Sequence, residues 1–291
     1  MTVYTGLDLR PAGGCIRAGL QPGGASGFRS LKLCFARKRS ILWSAPGLSR
    51  NPAYHREEAM PSIGSLNESS LHATLKRLYT GEDQVRESVV EGYVVDVVEK
   101  NRLVEIQTGG FSRIRLKLEA LLPRHRVLLV YPIALEKDLV VYDRGREQVL
   151  YTRRSPKRGC LIDLVYQLVY LPRIPVHPNF SLEVVLTREE EIRAADGVGS
   201  WRRKGVSIVD RRLKDIVERV IFSSPADYLR LLPAGLPRPF ANRDVAEGAG
   251  IPLEKARRLT YCLERMDVLA ASGKRGNARL FTLEELPRKR R

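Results

Sequence analysis

The chain has 291 residues, of which 43% are apolar, and a formal net charge of +17. This apolar fraction excludes a wholly disordered chain, and no apolar run reaches the ~18 residues of a membrane-spanning helix. We therefore expect a soluble, cytoplasmic protein that makes no membrane contact and attracts polyanions.

The cysteines and short motifs exclude several classes of site. The four cysteines are too far apart along the chain for a zinc ribbon or a disulfide framework, and HExxH is absent. No phosphate-binding glycine motif stands between a strand and a helix. Any catalytic or binding site must therefore be formed by residues outside these common motifs.

The first 59 residues are rich in glycine, proline and arginine and show no helical or strand period. We predict a disordered extension over residues 1–59, or a translated start upstream of a true beginning at Met60. A transit peptide is the alternative, but the glycines and prolines would break its amphipathic helix.

The first regular element is an amphipathic helix over residues 66–79, with Leu71, Leu75 and Leu78 on its apolar stripe. Asn67 or Ser65 can cap this helix, and Glu68 falls in its first turn.

Two strands follow, at residues 93–98 and 103–108, joined by a tight turn. Pairing Val98 with Leu103 places Asp96 opposite Glu105, and alternation places Gln107 on the face of Glu105. Opposed carboxylates repel, so a divalent cation such as Mg²⁺ (or Mn²⁺) bound by Asp96 and Glu105 is one interpretation. Under it, replacing Asp96 by asparagine should leave metal-free stability equal or higher. The alternative is that Asp96 faces solvent and meets an arginine, either Arg102, Arg113 or Arg115.

A second amphipathic helix over residues 111–122 and an apolar strand over residues 126–133 complete this region. Its helix buries Phe111, Ile114, Leu118 and Leu121 or Leu122, and its other face carries Arg113, Arg115 and Lys117.

From about residue 62 to 143, this order of elements, with Asp96 followed by Glu105-Ile106-Gln107, resembles the PD-(D/E)XK nuclease superfamily. The resemblance implies a restriction-endonuclease-like α/β core that cleaves DNA with Mg²⁺. Asp96 and Glu105 match its acidic positions, and Glu68 matches the first-helix glutamate of some branches. Gln107 stands where the family usually has lysine, so Lys117 is the candidate for a displaced cation.

The middle of the chain offers one candidate nucleic-acid contact. Trp201 precedes Arg202, Arg203 and Lys204 in a loop bounded by glycines, which suits phosphate contact and base stacking. Trp201 as a buried core residue is the alternative.

The last 69 residues predict a helix at 224–233, a short helix at 241–250 capped by Asn242, and a long helix from Pro252 to Met266. A basic hairpin with its tip at 273–278 follows. This order resembles the winged helix-turn-helix family, which implies DNA contacts from the second helix of the motif and from the hairpin. The candidates are Lys255, Arg257, Arg258 and Tyr261 on the helix and Lys274, Arg275 and Arg279 on the hairpin.

Together these features predict an α+β protein with four segments. They are the extension (1–59), the nuclease-like core (60–145), a basic connecting region (146–222) and a winged helix (223–291) with its own core. We expect a Mg²⁺-dependent DNA endonuclease and allow for a homodimer. The alternatives are a non-catalytic DNA-binding regulator on a degenerate nuclease scaffold and an RNA-binding accessory protein.

Overall fold

The computed structural model describes residues 69–80 and 85–284, and the side chains of all of these except 85–87. The predicted extension and Glu68 lie outside this range. The described chain is mixed α and β, as predicted, with a seven-stranded sheet, a three-stranded sheet and short helices.

The strands of the large sheet are β1 (Val85–Val90), β2 (Tyr93–Glu99), β3 (Arg102–Ile106), β4 (Val127–Tyr142), β5 (Val149–Arg154), β6 (Phe180–Ala194) and β7 (Ser207–Phe222). Their order is β1-β2-β3-β4-β6-β7, with β5 paired to the C-terminal half of β4. β1–β2 and β2–β3 are antiparallel, β3–β4 and β4–β6 are parallel, and β6–β7 and β4–β5 are antiparallel.

The predicted connecting region differs most from the structure. It supplies β5, β6 and β7, and β4 continues nine residues beyond the predicted end at residue 133. Register shifts between Ala134 and Glu136 of β4 and between Leu186 and Thr187 of β6 interrupt both strands midway. At this point the Gly159 amide donates to the Ala134 carbonyl at 3.0 Å, which fixes the loop over residues 155–159 to the sheet.

Helix α1 (Ser70–Tyr79) covers one face of the sheet, where Leu71 and Leu75 are fully buried. The Ser69 hydroxyl accepts from the His72 amide at 3.3 Å and caps the helix, so the predicted cap at Asn67 or Ser65 is wrong. The prediction for Leu78 is also wrong, since it is 51% exposed and Tyr79 packs on this core instead. The Ser70 amide and hydroxyl both donate to Asp210 of β7, at 2.9 and 2.5 Å.

The other face carries α2 (Arg115–Leu121), the 3₁₀ turn Leu161–Leu164 and α3 (Val165–Leu168). The predicted inward residues Phe111, Ile114, Leu118 and Leu121 are all buried there. Below them the sheet contributes Val95, Leu103, Val127 and Leu129 to the same apolar cluster.

The C-terminal segment packs on this second face. It contains the 3₁₀ helix Pro225–Leu231, β8 (Phe240–Ala241), α4 (Asn242–Ala249), α5 (Leu253–Arg265), β9 (Leu269–Arg275) and β10 (Ala278–Leu283). The predicted inward stripe of α5 is confirmed, because Ala256, Leu259, Leu263 and Met266 are at most 1% exposed. Asn242 is the first residue of α4 and not its cap, since Asp244 accepts the Ala241 amide at 2.7 Å.

This segment has no separate core, contrary to the expectation. Leu259 and Leu263 of α5 belong to one continuous cluster with Leu164 and Leu168 under α3. An ion pair of 2.5 Å between Lys255 of α5 and Asp163 joins the two parts at the surface.

Candidate active site

The β2–β3 hairpin places two acidic residues at the point where its strands separate. The predicted register is confirmed, since Val98 pairs with Leu103 and Val97 with Val104. Beyond these pairs, the Asp96 carboxylate accepts a hydrogen bond of 2.9 Å from the Ile106 backbone amide, where a backbone carbonyl of β2 would otherwise be the acceptor. This side-chain hydrogen bond holds Asp96 beside the end of β3.

Glu105 lies beside Asp96 on β3 and is only 3% exposed. The ammonium group of Lys117, which projects from α2, contacts its Oε1 and also donates to the Val94 carbonyl at 2.5 Å. The cation beside the two carboxylates is therefore Lys117, ten residues beyond Gln107. On the other side, His72 of α1 approaches Asp96 with 3.4 Å between Nε2 and Oδ2.

The protein shifts the pKa values of the two carboxyl groups in opposite directions. Burial raises the pKa of Glu105 to about 7, even though Lys117 lowers it. Burial also acts to raise the pKa of Asp96, but hydrogen bonds from His72 and the Ile106 amide outweigh it and the pKa falls below its usual value. Near neutral pH, Asp96 is therefore a fixed anion and Glu105 is close to half-protonated.

This difference reverses the expectation for Asp96→Asn. Because the folded-state pKa of Asp96 is lowered, its anion stabilises the fold above the ordinary pKa, and this stability is lost as the pH falls through the lowered value. We expect Asp96→Asn to lower the free energy of unfolding at pH 7 by about 1–2 kcal/mol, and to cost less at pH 3. Urea denaturation at both pH values measures this, and an unchanged or raised stability at pH 7 would contradict it.

Gln107 is turned away from the carboxylates toward the loop after β3. Its side-chain amide donates to the Gly110 carbonyl at 2.9 Å. The same loop is tied to α3, because the Phe111 amide donates to the Gln167 side chain at 3.0 Å. Gln107 therefore shapes the rim of the site, while Lys117 occupies its centre.

The alternative arginine partners of Asp96 are wrong. Arg102 pairs with Glu99 at 2.5 Å, Arg115 pairs with Glu119 at 2.8 Å, and Arg113 is exposed. Sequence reasoning missed His72, although a signal existed. It follows Leu71 directly, and Leu71 is on the stripe that packs α1 over β3.

Asp96 and Glu105 are the residues that could hold a divalent cation. Both offer carboxylate oxygens, the ligands preferred by Mg²⁺, which often takes only one or two protein carboxylates. Glu105 Oε1 is buried and no hydrogen bond in good geometry reaches it from the described residues. This donor set fits a Mg²⁺ ion that keeps most of its waters.

The loop between β6 and β7 projects from the sheet and exposes the predicted aromatic residue. Trp201 is 82% exposed, so its interpretation as a core residue is wrong. The Arg202 guanidinium lies 5.5 Å from the centre of its ring, and Lys204 is exposed beside it. Arg203 donates to the Val206 carbonyl at 3.1 Å and so helps to hold the loop.

Two of the predicted DNA-reading residues of α5 face the protein. Lys255 is bound to Asp163, and both Lys255 and Arg258 lie over the Tyr166 ring, at 5.3 and 5.4 Å from its centre. Arg258 also pairs with Glu254. Lys255 therefore docks α5 on the core, which a helical period alone could not show.

The remaining predicted basic residues of this segment lie at the surface. Arg257 is exposed on α5, and Tyr261 is 40% exposed with the Arg265 guanidinium 5.6 Å from its ring centre. On the β9–β10 hairpin, Lys274 is exposed, Arg275 pairs with Asp244 at 3.1 Å and Arg279 pairs with Glu264. A surface pair of this kind is weak, and a phosphate could replace it.

Comparison with known proteins gives three findings. The sequence model of a family described as a domain of unknown function, DUF8091, matches residues 69–223. The chain is also 30% identical over 225 residues to an uncharacterized protein of Treponema pallidum, a match that covers 77% of this chain and 88% of the relative. No solved structure matches the chain with significance. Among the described helices, none is both long and apolar enough to cross a bilayer.

Proposed function

This chain belongs to the DUF8091 family, a domain of unknown function, and from its site we propose that it is a Mg²⁺-dependent endonuclease acting on DNA. The observation that carries the proposal is the convergence of Asp96, Glu105 and Lys117 at the separated ends of β2 and β3. Two carboxylates can hold a metal ion that activates water, and a lysine can stabilise negative charge on a phosphate, which together suit phosphodiester hydrolysis.

The order of elements supports the same proposal. A helix, three antiparallel strands, a second helix and a strand parallel to β3 follow one another from α1 to β4. This is the order implied by the resemblance to the PD-(D/E)XK superfamily. The two acidic residues are on adjacent strands, as the resemblance to that superfamily implies.

Each residue has a distinct role in the proposed reaction. Asp96 remains ionised and offers a fixed anionic ligand, while Glu105, with a pKa of about 7, can exchange a proton with water at neutral pH. Lys117 stabilises negative charge that develops on the phosphate. When bound to the two carboxylates, Mg²⁺ would lower the pKa of its water and offset phosphate charge.

The C-terminal segment supplies the proposed DNA contacts outside the site. A helix pair, α4 and α5, followed by the β9–β10 hairpin matches the order of a winged helix, and Arg257, Lys274, Arg275 and Arg279 are exposed on it. Since Lys255 forms an ion pair with Asp163, we assign the contacts with duplex DNA to the β9–β10 hairpin and to the side of α5 that carries Arg257.

The rival function is a non-catalytic DNA-binding regulator. In the part of the chain that the structure describes, no group of three or more histidine, cysteine, aspartate or glutamate side chains could hold a metal ion. In a regulator, Lys117 would serve only as the counter-ion of Glu105.

A cleavage assay separates the two. Wild-type protein should nick supercoiled plasmid in Mg²⁺ and not in EDTA. Lys117→Met should lower the rate by about 10²-fold or more. The control Lys100→Met removes an exposed lysine in the β2–β3 turn and should cleave normally. If wild-type protein cleaves no form of DNA and Mg²⁺ does not raise its melting temperature, the regulator replaces the nuclease.

A further inference from the structure

A cleft of about 680 Å³ extends along the sheet from Thr108, two residues after β3, toward the base of the β6–β7 loop that carries Trp201. At one end it is lined by Thr108, which directly follows Gln107, and by Tyr131 of β4. At the other end it is lined by Arg193 and Arg211, two and five residues from the two ends of the β6–β7 loop, which spans residues 195–206. On β4 the lining residues extend from Tyr131 to Leu139, so the cleft extends for about 25 Å along the sheet.

Positive charge exceeds negative charge in this cleft. Six basic and three acidic side chains line it. Glu189 and Glu191 lie in the floor at 3% and 4% exposure, where Lys137 and Arg193 compensate them. The basic residues of the wall include Lys157, Arg158, Arg211 and Lys255, of which the last three contact the carboxylates of Glu136, Glu191 and Asp163.

The β6–β7 loop is built to hold its exposed tryptophan in place. Backbone hydrogen bonds of 2.9–3.0 Å join Gly199 to Gly205, Arg203 to Ser200 and Val206 to Arg203. Gly199 is required there, because a Cβ atom would collide with the Val206 carbonyl. The Trp201 ring is therefore presented by an ordered loop, which lowers the entropy cost of stacking on a ligand.

From these features we propose that the cleft and the β6–β7 loop form a track for single-stranded DNA, which leads from the Trp201 ring to the carboxylate site. This inference rests on the proposed nuclease function for its direction, but it makes a separate statement about which DNA is bound. Aromatic rings interleaved with cations are how proteins hold single strands without reading their sequence. In a duplex the bases stack on each other, so no free base face is available to stack on the exposed Trp201 indole.

The test uses full-length protein in EDTA, so that binding is measured without cleavage. The chain has two tryptophans, Trp43 and Trp201, and Trp43→Phe leaves Trp201 as the only tryptophan, whose fluorescence can be excited selectively over that of the tyrosines. We expect an oligothymidine of about 20 nucleotides to quench this fluorescence, at a lower concentration than the matching duplex.

Affinity measured by anisotropy of a labelled oligothymidine then tests the ring itself. Trp201→Ala should weaken binding on the order of tenfold, and Trp201→Phe should restore most of it. Val198→Ala is the matched control, because Val198 is 84% exposed in the same loop and has no π face. We expect less than about twofold change for this control.

The salt dependence tests the phosphate contacts. Arg202→Gln with Lys204→Asn should reduce the slope of log affinity against log salt by about 1.4, for two contacts to a single strand. Asparagine at 204 accommodates the positive φ of 53° found there. The control Lys100→Gln with Arg238→Gln removes two exposed charges elsewhere and should leave the slope unchanged.

Two results would overturn the track. One is quenching of Trp201 fluorescence by the duplex at concentrations as low as those needed with the single strand, and the other is a single-strand affinity that Trp201→Ala does not change. Failure of the nuclease is distinguishable, because a chain that cleaves nothing in Mg²⁺ but shows the Trp201-dependent binding retains the track alone. A chain that nicks plasmid but ignores single strands retains the nuclease alone.

Discussion

Glu105→Gln should abolish Mg²⁺-dependent DNA cleavage while making the protein more stable at pH 8. Cleavage should fall by about 10²-fold or more, because the glutamine cannot exchange a proton and is a poor ligand for a hard cation. The gain in stability follows from the burial of the carboxylate, which carries its charge at pH 8 at a cost to the folded state.

The sign of this effect follows from the raised pKa. Between the ordinary value of about 4.5 and the folded-state value of about 7, the folded protein binds more protons than the unfolded chain. Stability contributed by Glu105 is thus complete below pH 4.5 and is lost as the pH rises to 7, by up to about 3 kcal/mol. Glutamine resembles the protonated acid, so the variant should match the wild type at pH 5 and exceed it by about 1–3 kcal/mol at pH 8.

Urea denaturation at the two pH values measures this difference. Glu119→Gln is the control, since Glu119 pairs with Arg115 on the exposed side of the same helix that carries Lys117. It should change stability by less than about 0.5 kcal/mol at either pH. A Glu105→Gln protein that is less stable than wild type at pH 8 would show that the Glu105–Lys117 pair stabilises the fold.

Leu259→Ala should destabilise the whole described chain and not only its C-terminal segment. Leu259 is fully buried on α5, in the apolar cluster that also contains Leu164 and Leu168. A Leu→Ala change in such a core costs about 2–5 kcal/mol. Because the cluster is continuous across both parts, we expect a single transition that shifts as a unit.

Two probes decide whether the parts unfold together. Amide hydrogen exchange in β4 and β6 reports on the large sheet, and circular dichroism reports mainly on helices. Leu253→Ala, on the same helix but 36% exposed, should have a much smaller effect. If Leu259→Ala moves only the dichroism transition, the C-terminal segment unfolds separately and its core is its own.

The sequence predicted local elements well where a period or a turn specifies them. The β2–β3 register follows from one tight turn, because every cross-strand pair depends on it. The buried stripe of α5 follows from a helical repeat that covers four residues. Leu78 had the same spacing but lies in the last turn of α1, where Tyr79 reaches the core in its place.

Contacts between distant parts of the chain explain what the sequence could not predict. The charged residues 188–193 suggest a surface segment, yet they lie in β6, where Lys137 of β4 compensates Glu189 and Glu191. Lys255 likewise suggests a DNA contact until its partner, Asp163, is known to lie beside it. Neither partner is visible in a local pattern, because each is more than fifty residues away.

The close contact of Gly159 with the Ala134 carbonyl means that the residue at position 159 indicates the width of the cleft. Any side chain at position 159 would collide with that carbonyl, so the loop over residues 155–159 would have to move outward. That loop carries Lys157 and Arg158 in the cleft wall. A relative with glycine at this position can keep the narrow passage, and one without it must have a wider channel or a rerouted loop. The residue at position 159 is therefore a sequence marker for the width of this cleft in a relative.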